Sequence, residues 1–194
     1  MHYKIGSRGS KLALIQTEYV CEKLRKAYPE HTFEIVIVKT KGDKIQNRPL
    51  NKIGGKGLFV KEIEEKILNG ELHMGVHSMK DMPAEPADGL VFTRPWKRED
   101  PRDVLILREK NSLEELSEGA VIGTGSKRRA YQLKKLRPDL RIVDIRGNVD
   151  TRLRKMEEQK MDGIVLAAAG LKRLEMENRI TQYLSPSQMI SAPA

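Results

Sequence analysis

The chain has 194 residues, 36 Lys and Arg against 27 Asp and Glu for a formal net charge of +9, and one cysteine. That length suits one large α/β domain or two small ones, and apolar residues at 39%, spread along the whole chain, exclude a disordered polyampholyte. A single Cys excludes an internal disulfide and points to a reducing, cytoplasmic setting. The first residues carry no apolar leader, and the longest nearly apolar run, Ile164 to Leu171, falls well short of the roughly 20 residues that span a bilayer.

In chain order, short apolar strands alternate with amphipathic helices. Tyr3–Ser7 reads as a strand, followed by a helix over about Lys11–Tyr28 with Ser10 as its N-cap. Phe33–Lys39 is a β-branched run, expected to be a strand covered on both faces. A polar connection from Thr40 to Gly57 leads to a helix from Leu58 to about Asn69, closed by Gly70. Met74–His77 and Val91–Arg94 read as strands. The charged, proline-bearing stretch from Pro95 to Pro101 is the candidate domain boundary, giving a first lobe over 1–98 and a second over 99–190. In the second lobe Val104–Leu107, Ala120–Gly123, Ile142–Ile145 and Gly163–Ala167 are expected strands. Ser112 to Glu115 reads as a capping box opening a short helix, and basic helices are expected over Ser126–Leu136 and Val149–Gln159. The repeated βαβα order predicts an α/β fold of two lobes with parallel or mixed sheets, a cleft between them, and ligands at the carboxyl ends of strands.

The charge is unevenly placed. Eleven basic and three acidic residues lie between Ser126 and Lys155, so nearly all of the net +9 sits in thirty residues, with Arg outnumbering Lys seven to four. Arginine's planar fork suits two-point grip on carboxylate or phosphate, so the stretch reads as an anion site or, alternatively, as a solvated helix face. Each strand exit carries a glycine-bearing or polar turn: Gly6-Ser-Arg-Gly-Ser10, Thr40-Lys-Gly-Asp43, His77-Ser-Met-Lys-Asp81, Gly123-Thr-Gly-Ser-Lys-Arg-Arg129 and Arg146-Gly-Asn-Val-Asp-Thr-Arg152. Such turns offer backbone N–H groups to an anion. None is a Walker A loop or a dinucleotide fingerprint, which disfavours ATP and NAD. His73 and His77 are four apart but flank a short strand with no thiol nearby, so they read as structural and no metal is expected. Asp81 could donate a proton, balance a developing positive charge, or simply cap a turn before Met82-Pro83. Asp43 reads as serving its Gly-Asp turn. Lys52 and Lys56 could be no more than solvated charges.

Taken together these turns resemble one family. Arg8 with Ser10, Gly54-Gly-Lys-Gly-Leu-Phe-Val-Lys-Glu62, His77 to Asp81, Arg98-Glu-Asp-Pro-Arg-Asp103, the Gly123 to Arg129 turn, Arg146 to Arg152 and Ala168-Ala-Gly-Leu-Lys-Arg173 match, in order, porphobilinogen deaminases, also called hydroxymethylbilane synthases. The resemblance implies a transferase of haem and tetrapyrrole biosynthesis that condenses four porphobilinogen molecules head to tail, with loss of ammonia, into hydroxymethylbilane. It implies two lobes like those of periplasmic binding proteins, and carboxylate binding by Arg8, Ser10, Lys80, Thr124, Ser126, Arg128, Arg129, Arg146 and Arg152. Lys52 and Lys56 would lie on a mobile loop over the cleft. Asp81 would face the pyrrole N–H groups, stabilise the methylene-pyrrolenine cation and assist proton transfer. The pattern departs at Gly125 and Lys127, which leave the Arg128–Arg129 pair intact.

The family carries a covalent dipyrromethane primer on a cysteine of a third, C-terminal domain. Cys21 does not match it, so this chain alone is expected to lack the cofactor and to be inactive. Residues 191–194 resemble the start of a crossover back to the first lobe, which would be incomplete without that returning segment. A monomer acting on a small molecule, without nucleic acid or membrane partners, is expected. The alternative is a two-lobed anion-binding protein of the periplasmic-receptor type, which would need neither Asp81 nor the loop lysines. Three Phe and one Trp are few for base stacking.

Overall fold

The computed structural model describes residues 1–44 and 57–193. The chain divides into two compact units, the first running to Lys97 and the second from Arg98 to Pro193.

The first unit holds β1 (His2–Ser7), α1 (Lys11–Ala27), β2 (Thr32–Ile37), α2 (Lys41–Lys44), α3 (Lys61–Leu68) and β3 (Met74–Gly75). The strands form a parallel sheet in the order β2-β1-β3, with Ile5 level with Ile35 on one side and Met74 on the other. Alternate side chains of this sheet feed two small cores. Ile5 and Phe33 pack with Cys21 of α1, while Val38 packs with Ile63 of α3 and Leu72. Gly6 permits the second contact, because a Cβ there would lie 2.7 Å from Leu72 and 2.9 Å from Ile63. Ser10 caps α1, its Oγ accepting from the Ala13 N–H at 3.3 Å.

Three expectations change in this unit. Strand β2 is not covered on both faces, since Glu34 and Ile37 are exposed and Glu34 meets His2 Nε2 at 2.9 Å, and among the described residues it has one strand neighbour. The stretch over 91–94 is not a strand. Val91 is exposed and no described strand offers it a ladder, and Pro95 removes the next donor. The helix expected from Leu58 starts at Lys61, after a turn in which the Lys61 N–H reaches the carbonyl of Gly57.

The second unit holds β4 (Asp103–Leu107), β5 (Val121–Gly123), α4 (Lys127–Leu136), β6 (Arg141–Val143), α5 (Val149–Glu158), β7 (Gly163–Ala167), α6 (Ala168–Arg173) and β8 (Gln182–Tyr183). Its mixed sheet runs β6-β5-β7-β4-β8, with β6, β5 and β7 parallel and β4 antiparallel to both neighbours. Every residue of β4 is buried. Leu105 and Leu107 face a core with Leu113, Ile122, Leu133, Leu140 and Val165, whereas Val104 and Ile106 face another with Leu153, Met156, Ile164 and Leu171. A side chain of this size contributes about 1.5–3 kcal/mol when fully buried, so β4 is the strand on which both layers depend.

The capping box at Ser112–Glu115 does not open a helix. Tertiary partners take the backbone groups a helix would use: Leu113 N–H donates to Gln182 Oε1 at 2.7 Å, and Arg137 donates to the carbonyls of Leu113 at 2.8 Å and Leu116 at 3.1 Å. Glu115 meets the Asn111 N–H at 3.3 Å, one position before the expected cap.

Candidate functional site

In the first unit all three strands are parallel, so their exits share one edge and bring Arg8, the Thr40–Asp43 turn and the His77–Asp81 turn to it. Arg8 Nε donates to both oxygens of Asp43, at 3.1 and 3.3 Å, and Nη2 donates to Oδ1. Asp43 in turn accepts from the Thr40 hydroxyl at 2.8 Å and the Thr40 N–H at 3.3 Å. Burial alone would raise the pKa of the Asp43 carboxyl, but these donors together outweigh it and hold the group below its ordinary range. The Arg8 guanidinium carbon lies 4.1 Å from the centroid of the Phe59 ring. Asp43 therefore does more than shape its turn, and neither it nor Phe59 is singled out by the sequence as part of a site.

His77 is partly buried beside Arg8 and Asp81. Burial first, then the Arg8 charge, push its pKa down to about 4, against the pull of Asp81, so the ring is neutral. His73 Nδ1 accepts from the Lys4 N–H at 3.0 Å and its ring meets Tyr3 edge-on, a structural role. Lys80 and Asp81 are exposed on a single 3-10 turn, Met79–Asp81, anchored by the Asp81 N–H to the Ser78 carbonyl at 2.9 Å. Ser78 Oγ donates to Gln16 of α1 at 3.0 Å. Lys52 and Lys56 lie outside the described residues. Ser10 is the cap of α1, its Oγ on the Ala13 N–H.

In the second unit the exits of β5 and β6 are adjacent, and α4 and α5 begin there, with their first-turn N–H groups at that edge. Thr124 is buried, its N–H on the Val143 carbonyl at 2.9 Å and its hydroxyl accepting from the Ser126 N–H at 3.2 Å. Ser126 caps α4, accepting from the Arg129 N–H. Gly125 lets the two turns touch, since a Cβ there would lie 2.9 Å from the Ile145 carbonyl. Arg146 is buried, its carbonyl taking a hydrogen bond from Lys155 at 3.1 Å, and Arg152 Nε donates to the Gly147 carbonyl at 2.8 Å.

The same edge holds Asp103, which starts β4 level with Ala167 at the end of β7. Asp103 is 2% exposed and takes Arg129 through Nε at 3.0 Å and Nη2 at 2.7 Å, and Arg128 through Nη2 at 2.6 Å. Arg129 Nη1 goes to the Val165 carbonyl at 3.1 Å. The sequence treats Arg128 and Arg129 as a matched pair of cations. The structure separates them: Arg129 is buried with each of its three nitrogens bonded, whereas Arg128 is a quarter exposed and also donates through Nη1 to the Ile190 carbonyl. The sequence shows Asp103 as the last residue of the Arg98–Asp103 motif, just before the expected strand, and gives it no role; a buried counter-charge for a doubled arginine is what that position supplies. Other cations of the basic stretch are engaged too: Arg137 on Asp139, Arg154 on Glu158 and Lys134 on the Pro138 carbonyl. The charge run is thus partly an internal scaffold.

Among the described residues no group of three His, Cys, Asp or Glu could hold a metal, and no helix is long and apolar enough to cross a membrane. Cys21 is fully buried against Ile5 and Phe33, and burial raises its thiol pKa, so it is unsuited to carrying an attached group.

A family model described as "Porphobilinogen deaminase, dipyromethane cofactor binding domain" matches residues 3–194. The curated porphobilinogen deaminase of Lachnospira eligens is 62% identical over 196 residues, covering 100% of this chain and 66% of that protein. That of Clostridioides difficile is 60% identical over 195 residues, covering 100% of this chain and 65% of its own. This chain thus spans just under two thirds of the length of these relatives. A solved periplasmic substrate-binding protein of an ABC transporter from Coxiella burnetii shares the fold at a TM-score of 0.54 and 12% identity, over 95% of this chain and 80% of that one. The α/β architecture with a mixed sheet is therefore the one expected from the strand and helix order, and the chain belongs to the porphobilinogen deaminase family.

Proposed function

We propose that this chain supplies the substrate-handling α/β units of a hydroxymethylbilane synthase, which joins four porphobilinogen molecules head to tail and releases an ammonia at each addition. The observation that carries the reading is one strand edge bearing an oriented arginine, Arg8, together with Lys80 and the exposed carboxylate of Asp81. Porphobilinogen has acetate and propionate arms for the cations and a pyrrole N–H for the carboxylate. When the C–N bond of the aminomethyl group, protonated as an ammonium, breaks, ammonia takes the electron pair and a methylene-pyrrolenine cation remains. Asp81 stabilises that cation by Coulomb attraction and by accepting the pyrrole N–H. The α-carbon of the growing chain then attacks the methylene carbon and loses its proton, for which Asp81 is the nearby acceptor.

The family's dipyrromethane group bears the same acetate and propionate arms. The donor set at the β5 and β6 exits, Thr124, Ser126, Arg128, Arg146 and Arg152, fits such carboxylates, whereas buried Cys21 does not fit the covalent attachment. When bound, the group supplies the pyrrole end to which substrate is added. Arg129, held on Asp103, would act behind Arg128 rather than on a carboxylate.

Turnover by the full-length protein tests the reading: porphobilinogen consumption with ammonia release is expected, and Asp81→Ala should abolish it while near-ultraviolet circular dichroism stays unchanged. An Asp81→Ala enzyme as fast as wild type would overturn the role given to Asp81. Arg146→Ala should weaken oligopyrrole binding by about 1.5–3 kcal/mol, the worth of a charge-assisted hydrogen bond, and unchanged calorimetric affinity would count against it.

A further inference from the structure

We propose that Asp43 and Phe59 are positioning residues for Arg8, fixing its guanidinium so that only its end-on edge, Nη1 with the outer N–H of Nη2, is presented to a substrate carboxylate. The inference rests on the carboxylate-binding role proposed above for Arg8.

A guanidinium has two edges able to grip a carboxylate through paired N–H groups, one formed by Nε and Nη2 and the other by Nη1 and Nη2. In Arg8 the first is occupied, since both Nε and Nη2 donate to Asp43. Among the described residues no hydrogen bond is made by Nη1. One face of the plane is covered by the Phe59 ring, 4.1 Å from the guanidinium carbon. That ring rests directly on the backbone of Gly42, where a Cβ would lie 2.2 and 2.3 Å from two ring carbons, and the Gly42 N–H donates to the Leu58 carbonyl at 2.9 Å. Asp43 is itself clamped by the hydroxyl and N–H of Thr40. Edge and face are thus fixed by groups that are fixed in turn.

Two effects of Asp43 oppose each other. Its negative charge weakens the pull of Arg8 on a second carboxylate, but its grip removes most of the rotamer freedom that Arg8 would otherwise lose on binding. The incoming carboxylate would sit on the far side of the guanidinium, in partial contact with solvent that screens the repulsion. Orientation therefore dominates, and removing Asp43 should weaken binding.

The test uses the full-length protein. Asp43→Asn should raise the KM for porphobilinogen about tenfold with kcat within about a factor of two, the cost of re-ordering one side chain, and Phe59→Leu should act in the same direction. Asp43→Glu should recover part of the loss. In an Arg8→Lys background, whose ammonium has no fork to orient, Asp43→Asn should have no further effect on KM. An unchanged or lowered KM in Asp43→Asn, or an equal effect in both backgrounds, would overturn the inference. If wild type shows no turnover of porphobilinogen, the proposed function fails, and the inference is then decided by nitrogen-15 NMR of arginine Nε with succinate as the carboxylate probe. The Arg8 signal should move with succinate in wild type and not in Asp43→Asn. No movement in wild type, or the same movement in both, would overturn it.

Discussion

Arg129 places both Nε and Nη2 on a single carboxylate oxygen of Asp103, at 3.0 and 2.7 Å, and each residue is less than a tenth exposed. Removing one partner of a buried pair costs up to about 3–5 kcal/mol; in Arg129→Ala the carboxylate keeps Arg128 on Oδ2 at 2.6 Å, but Oδ1 loses both of its arginine donors. Arg129→Ala should therefore lower the urea midpoint sharply. Arg128→Ala leaves Asp103 its Arg129 partner and should cost much less stability, with its effect appearing in ligand affinity. Equal stability losses in the two variants would contradict this division of roles between neighbouring arginines.

Ser10 and Ser126 each have a local task that is independent of any ligand. Ser10 Oγ accepts from Ala13 and Ser126 Oγ from Arg129, so each satisfies a first-turn N–H. Replacing either with Ala should destabilise the protein by about 1 kcal/mol. Replacement by Asp, which also caps, should restore stability and lower affinity for carboxylates wherever the serine also touches one. A Ser10→Ala variant with wild-type thermal stability would remove the capping assignment.

Much of this arrangement was legible beforehand. The helix beginning after its cap Ser10, the strand Gly163–Ala167 and the basic helices expected over Ser126–Leu136 and Val149–Gln159 follow from signals contained within a few residues. What was not legible depends on partners distant in sequence. The capping box at Ser112 loses to Arg137 and Gln182, which lie 24 and 69 residues from Leu113. Val91–Arg94 has strand-like residues but no described strand beside it. The site residues were found as charges at strand exits, yet which charge is held by the protein itself depends on acids brought in by the fold, one partly buried and one buried. Asp43 and Asp103 settle that, and nothing local in the sequence distinguishes them from turn aspartates.

The β6 exit relies on a conformation that L side chains rarely adopt. Gly147 has φ +119, and a Cβ there would lie 2.5 Å from Thr151 Cγ2 and 2.7 Å from its Cβ. Gly147→Ala combines backbone strain of about 1–3 kcal/mol with a clash against the first turn of α5. It should lower thermal stability and displace the Gly147 carbonyl that receives Arg152 Nε, weakening anion binding beyond what stability alone explains. Gly125→Ala meets only the Ile145 carbonyl and the Asp144 carboxylate, and Gly125 has no positive φ, so its loss should be smaller. The reverse order in thermal melts would show that crowding, rather than φ, governs this edge.

His77 makes stability depend on pH in a definite direction. Burial and the Arg8 charge lower its folded-state pKa to about 4 from an ordinary 6.5, with Asp81 pulling the other way. Between those values the unfolded chain takes up a proton that the folded chain excludes, so stability rises with pH across that range. The contribution is fully present at pH 7 and is lost as pH falls from about 6.5 towards 4. A shift of this size bounds the effect at about 3 kcal/mol. Carboxylates also titrate below pH 5, so the measurement is the difference between wild type and His77→Gln in urea unfolding at half-unit steps from pH 7.5 to 4. That difference should shrink or reverse towards acid, because a glutamine side chain at this position takes up no proton in either state. Curves that stay parallel over the whole range would show that His77 titrates normally and is open to solvent beside Arg8.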